Sequence, residues 1–191
     1  MAEVVLFHHV QGLTPGVTAL ADELRSAGHT VHTPDFYDGQ TFDSIQSGFA
    51  HAKTLDTDAL AEAAVAGLPP EVVYAGISMG VGPAQRFAQT LPGAAGALLL
   101  EACFPISGEW AFGPWPAGVP VQVHGMERDE FFGLEGDLDA AREIVATVGP
   151  TAELFVYPGD RHLFCDSSLP SHDAEATALL RERVLEFLAR V

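Results

Sequence analysis

Basic residues are scarce in this chain. Nine Lys and Arg stand against 26 Asp and Glu, a formal net charge of −17. A surface so acidic repels phosphate backbones and anionic headgroups, which argues against nucleic acid and acidic membranes as partners. Long apolar runs are lacking as well: the hydrophobic blocks are short, split by Gly and Pro, and none approaches the roughly 18 residues that would span a bilayer. No membrane segment is expected. A secretory leader is not expected either, because Glu3 stands where positive charge belongs and residues 4–7 make too short an apolar core. The expected location is the cytoplasm. Cysteine is limited to Cys103 and Cys165, too few and too unpatterned for a disulfide framework or a structural zinc site, so both read as free thiols.

What the chain does have is length and short apolar blocks in alternation. Its 191 residues make one domain's worth, 1–191, large enough to bury a core without disulfide or metal staples. One stretch organises the rest: Val72-Val73-Tyr74-Ala75-Gly76-Ile77-Ser78-Met79-Gly80-Val81-Gly82-Pro83-Ala84. A β-branched and aromatic run ends in Gly76-Ile77-Ser78-Met79-Gly80, and a helix-forming segment, 84–91, follows at once. That is the pattern and setting of a nucleophile elbow. The serine backbone there takes a strained conformation, and only small neighbours leave room for the strand and helix that meet around it. At a helix N-terminus, the Met79 N–H is placed to stabilise a developing oxyanion. The alternative is a tight glycine-rich turn with an idle serine.

Around this stretch the chain alternates. Residues 3–9 read as a buried strand, and Thr14 caps a helix with Pro15 at its first position, Val17, Leu20, Ala21 and Leu24 sharing one face, and Gly28 closing it. Residues 29–33 form a short strand, and 42–67 two helical pieces with a break near 54–56. The elbow strand begins at Glu71, and further strands follow at 95–101, 119–124 and 152–157. A helix spans 137–148 with Asp137 near its N-cap, and a last helix begins at Ser171 with Leu180, Val184, Leu185 and Leu188 buried. The connection 102–118 carries Phe104, Trp110, Phe112 and Trp115, rings that either cap the core or line an apolar pocket. Strands alternating with helices predict a mostly parallel α/β sheet of about six strands with helices on both faces and its site beyond the strand C-termini.

A serine hydroxyl needs a positioned base, and the base needs a group that holds its tautomer. His162 lies just past the sixth strand and Asp129 just past the fifth, so the order is Ser, Asp, His. Glu127, Glu130 and Glu101, which follows the fourth strand, are rival acids, and His29, His32, His51 and His172 read as surface or packing histidines. The second oxyanion donor should come from the loop after the first strand, where Val10 N–H is preferred to His9. His8 and His9 with His124 and Asp129 could instead bind a metal, but adjacent strand residues point to opposite faces, so no metal and no cofactor is expected.

These residues fall in four motifs: Phe7-His8-His9-Val10-Gln11-Gly12, Gly76-Ile77-Ser78-Met79-Gly80, His124-Gly125-Met126-Glu127-Arg128-Asp129 and Tyr157-Pro158-Gly159-Asp160-Arg161-His162. With them the chain resembles the dienelactone hydrolase family of α/β hydrolases over nearly its whole length. The resemblance implies a compact α/β-hydrolase fold, a triad at Ser78, Asp129 and His162, and oxyanion donors at Val10 and Met79. It departs from the namesake enzymes in having Ser78 in place of their cysteine and His9 in place of an acidic residue. The expectation is a serine hydrolase acting on a small-molecule ester or lactone, with His9, Phe104, Trp110 and Trp115 as substrate-binding candidates. Two other readings compete: a non-catalytic binding or regulatory protein on the same fold, and thiol chemistry at Cys103 or Cys165. Oligomeric state is open.

Overall fold

Each apolar run of the sequence becomes one strand of a parallel sheet. The computed structural model describes residues 1–191. Its elements are β1 (Glu3–Phe7), α1 (Pro15–Ser26), β2 (Thr30–His32), α2 (Ile45–Ala52), α3 (Thr57–Val65), β3 (Val72–Ile77), α4 (Val81–Thr90), β4 (Gly96–Leu100), β5 (Val121–Met126), α5 (Asp137–Val148), β6 (Ala152–Tyr157) and α6 (Ala174–Leu188). The strands lie in the order β2-β1-β3-β4-β5-β6, every pair parallel. The chain winds from β1 outward to β2, then returns past β1 to β3 and onward to β6. The loops after β1 and β3 therefore leave the sheet side by side at the point where strand order reverses.

The pleat sends alternate side chains to opposite faces. Val5, Phe7, Val72, Tyr74, Leu99, Val121 and Val123 pack with residues of α3, α4 and α5 in one core. Val4, Leu6, Val73, Ala75, Ile77, Leu98 and Leu100 pack with α1 and α6 in another. Because both faces are covered, the central strands are apolar throughout rather than alternating.

Element ends move by a few residues from the sequence expectation, each for a local reason. β1 stops at Phe7 because the chain turns, with Gly12 N–H donating to His9 O. β5 begins at Val121 because Pro120 has no N–H to give a neighbouring strand, although its carbonyl accepts from Ala97. α4 begins at Val81 rather than Ala84: Pro83 falls in its first turn, where an N–H has no intrahelical partner. α5 keeps its expected bounds: Asp137 is its first residue, next to the cap at Gly136 with φ +109°, and the Asp137 carboxylate accepts from Cys103 N–H. α6 starts at Ala174, its cap being Asp173.

Candidate active site

Ser78 sits in a 3-10 turn, Ser78–Gly80, between β3 and α4, with φ +50°, the left-handed region that a side chain rarely adopts. The glycines on either side leave no space for anything larger. A Cβ on Gly76 would lie 2.1 Å from Gly80 O, and one on Gly80 would lie 2.3 Å from Phe7 O. Strand and helix meet there at backbone contact. Two more non-glycine residues near the serine have positive φ, Glu101 at 64° after β4 and Leu163 at 61° next to His162. Such strained positions gather where surrounding structure holds them.

The loop after β6 brings His162 over Ser78, with Oγ 2.8 Å from Nε2. The loop after β5 brings Asp129 to the other nitrogen, with Oδ2 2.7 Å from Nδ1. A carboxylate only accepts, so Nδ1 carries the proton and Nε2 is left to accept from the serine hydroxyl. Asp129 is fully buried, and its Oδ1 accepts from Phe131 N–H, which fixes the carboxylate's plane. Burial alone would lower the His162 pKa. The hydrogen bond to Asp129 and the negative charges of Glu101, Asp129 and Asp137 outweigh it, and the net shift is upward.

Glu101, weighed above only as a rival acid, does not contact an imidazole nitrogen in this way. It is fully buried, and its two oxygens accept from Phe164 and Cys165 N–H at 2.9 and 3.2 Å, holding the segment that follows His162. Burial raises its pKa. Glu101, Asp129 and His162 do offer three atoms within 4.8 Å of one another, a spacing that suits a cation. Both imidazole nitrogens are already engaged, so a metal that took His162 as a ligand would have to displace Ser78 or Asp129 from it.

Val10 is buried in the turn after β1, and its carbonyl accepts from Tyr37 Oη at 3.0 Å. A Cβ on Gly48 would fall 2.1 Å from that same carbonyl oxygen, so α2 presses directly on this turn. Val10 and Met79 thus belong to the two loops that leave the sheet at its switch point.

His9 is not on the wall of any cavity beside Ser78. It is fully buried, its Nε2 2.8 Å from Asp166 Oδ2 and its Nδ1 accepting from Gln11 N–H. Asp166 also accepts from Thr14 Oγ1 and from the hydroxyl and N–H of Ser168. Nothing in the residue types near Asp166 announced this role, which depends on a contact 157 positions away. The tryptophans likewise leave the site. Trp110 is 77% exposed, and Trp115 is buried in the core with its indole N–H donated to Val119 O. Of the four substrate-binding candidates, only Phe104 lines the cavity at Ser78. His8 and His124 are buried apart from it, held by Phe36 N–H and by Gln122 and Tyr157.

That cavity, about 380 Å³, opens over Ser78, Met79 and His162. Its walls combine Ile45 and Phe49 of α2 with Phe104 and Phe131, and with the carboxylates of Glu101, Glu135 and Asp137. The contribution of α2 had no sequence signal, because the segment reads only as a helical piece. A second cavity of about 220 Å³, lined by Pro120, Thr151, Phe187 and Arg190, lies at the opposite, N-terminal end of the strands.

A parallel sheet with a strained serine turn between its central strand and the following helix, and with histidine- and aspartate-bearing loops above the strand ends, is the α/β-hydrolase fold. Within that class, residues 109–191 match the dienelactone hydrolase family, a segment that takes in Asp129 and His162 but not Ser78. No curated protein matches the sequence. Solved structures match over the full length. A protein of Xanthomonas campestris pv. campestris assigned to the hydrolases of the α/β superfamily shares 21% identity at a TM-score of 0.66, covering 100% of both chains. A dienelactone hydrolase-like promiscuous phosphotriesterase from metagenomic libraries shares 17% at 0.75, covering 100% of this chain and 86% of its own. Esterase 2 of Thermogutta terrifontis, phosphoramylated by tabun, shares 18% at 0.67, covering 99% and 83%. No helix is long and apolar enough to cross a membrane.

Proposed function

We propose that this protein is a serine hydrolase of the dienelactone hydrolase type that cleaves a small ester or lactone through an acyl-enzyme. The reading rests on one observation, the hydrogen-bonded chain from Ser78 Oγ through His162 to Asp129 at the floor of a cavity. Ser78 Oγ attacks the carbonyl carbon while its proton passes to His162 Nε2. The carbonyl oxygen becomes an oxyanion that accepts from the Met79 and Val10 N–H groups. His162 then gives its proton to the departing alcohol oxygen, and the acyl group stays on Ser78. Water, deprotonated by His162, cleaves that ester and releases the acid. Asp129 holds Nδ1 protonated throughout and balances the imidazolium. The reaction consumes only water.

Ser78→Ala should cut aryl-ester hydrolysis about a million-fold while the fold persists, the scale seen when the nucleophile of a triad is removed. A fluorophosphonate should label Ser78 and no other residue. An unchanged rate in the variant, with no label on the parent protein, would overturn the proposal in favour of a binding protein on this fold.

A further inference from the structure

The charged side chains in the lining of the cavity over Ser78, His162 apart, are all acidic. Three carboxylates line it, Glu101, Glu135 and Asp137, and no Lys or Arg does. None of the three takes part in any of the protein's ion pairs. The arginines near the site are engaged elsewhere: Arg161 Nη1 donates to His172 O, and Arg128 pairs with Glu127. Three phenyl rings, Phe49, Phe104 and Phe131, share the same walls. Aromatic faces attract a cation within about 6 Å of the ring centre, and carboxylates attract it more strongly where water is partly excluded. Burial holds the carboxyls of Glu101 and Asp137 above the usual range, Asp137 up to about 6, so at neutral pH Glu135 and Asp137 present the negative charge, and a carboxylate-bearing ligand would meet them with no counter-charge in the lining. At the scale of the whole molecule, the net charge of −17 adds a field of the same sign.

We infer that this cavity selects esters whose non-reacting end carries a positive charge, an amine or quaternary ammonium, over neutral esters, and rejects anionic ones. The selection rests on the hydrolase reading above, since it is the ester of such a group that reaches Ser78. The rings supply apolar contact for the methylene or methyl groups around the nitrogen. Glu135 and Asp137, at the start of α5, stand on the same wall as Glu101 and supply the charge.

The test is a set of thioesters matched in shape and differing in charge: a 2-(trimethylammonio)ethyl thioester, its 3,3-dimethylbutyl isostere and a 2-carboxyethyl thioester, with a second set carrying the same groups on the acyl side. In at least one set, kcat/KM at low ionic strength should be tenfold or more higher for the cation than for the isostere, and lowest for the anion. The Glu135→Gln/Asp137→Asn variant should shrink the cation-to-neutral ratio several-fold. The amide oxygen that Asp137→Asn introduces can still accept from Cys103 N–H, and the neutral isostere reports any loss common to all substrates. In parallel, tetraethylammonium should slow the labelling of Ser78 by an uncharged phosphonate, and propionate should not. Turnover of all charge types at similar rates, or an anion preference, together with labelling indifferent to the ammonium ion, overturns the charge selection and leaves the hydrolase standing. Absence of both turnover and labelling removes the hydrolase reading and this selection with it.

Discussion

In the proposed reaction His162 would act as a base only while Nε2 is unprotonated, so its titration would set the acid limb. Burial favours the neutral ring, but the Asp129 hydrogen bond and the surrounding carboxylates prevail and raise the pKa. The group therefore stays protonated to higher pH than a free imidazole at 6.5, and kcat/KM should rise through a midpoint above that value. A pH–rate profile on a neutral ester measures it; a midpoint below 6.5 would contradict the electrostatic account. Asp166 shows the opposite sign. Burial would raise its pKa, but hydrogen bonds from His9, Ser168 and Thr14 bring it down to about 2 from 3.8. A carboxylate depressed in the folded state stabilises the fold above its unfolded pKa and loses that contribution as pH falls through the folded value. Asp166→Asn should cost about 2 kcal/mol at neutral pH. Urea titrations of the two proteins at pH 7 and at pH 2.5 should show the gap narrowing at the lower pH. The site itself was only partly legible at this scale. Ser78, Asp129 and His162 carry motif context or follow recognisable strand ends, and they meet as that order suggests. Trp110 and Trp115 carry none, and whether a ring faces a cavity, the core or solvent is fixed by loop packing that residue type does not encode.

At the scale of elements, the junction of β3 with α4 is the most tightly specified. A methyl group on Gly76 would press on the backbone of Gly80 at 2.1 Å, and backbone cannot rotate aside as a side chain can. Gly76→Ala should therefore shift the serine turn rather than be absorbed. Misplacement of a reacting group by about 1 Å costs on the order of a hundredfold. We expect kcat/KM to fall by about that factor with far-UV circular dichroism unchanged; full activity would mean that the turn tolerates more than its contacts imply. The same scale explains what was readable in order along the chain. α5 and β6 begin and end where expected because Gly136, Gly149 and Pro150 punctuate them. β5 slid by two residues because pairing with β6 continues through Met126 opposite Tyr157, a tertiary fact invisible in either segment alone. The lining by Ile45 and Phe49 is of the same kind: α2 was legible as a helix, and its position over Ser78 was not.

For the molecule as a whole, the two cores are separated only by the sheet that forms both. Cys103 lies in one and Cys165 in the other, each 2% exposed, and burial raises both thiol pKa values. Neither thiol is a thiolate at neutral pH in the folded state, so iodoacetamide should leave the native protein unmodified and its activity intact. Each thiol then reports the opening of one face. β3 and β4 give Val72, Tyr74 and Leu99 to one core and Val73, Ile77, Leu98 and Leu100 to the other, so neither face can separate without exposing strands on which the other depends. If the 191 residues fold as one cooperative unit, both cysteines should become alkylated at the same urea concentration, coincident with the loss of circular dichroism. Pulse alkylation followed by mass spectrometry separates the two sites. Modification of Cys165 at a lower concentration than Cys103 would mean that α1 and α6 peel from the sheet as a separate unit. The loop bearing His162, tied to that face through Phe164 and Cys165, would then be lost before the rest of the protein unfolds.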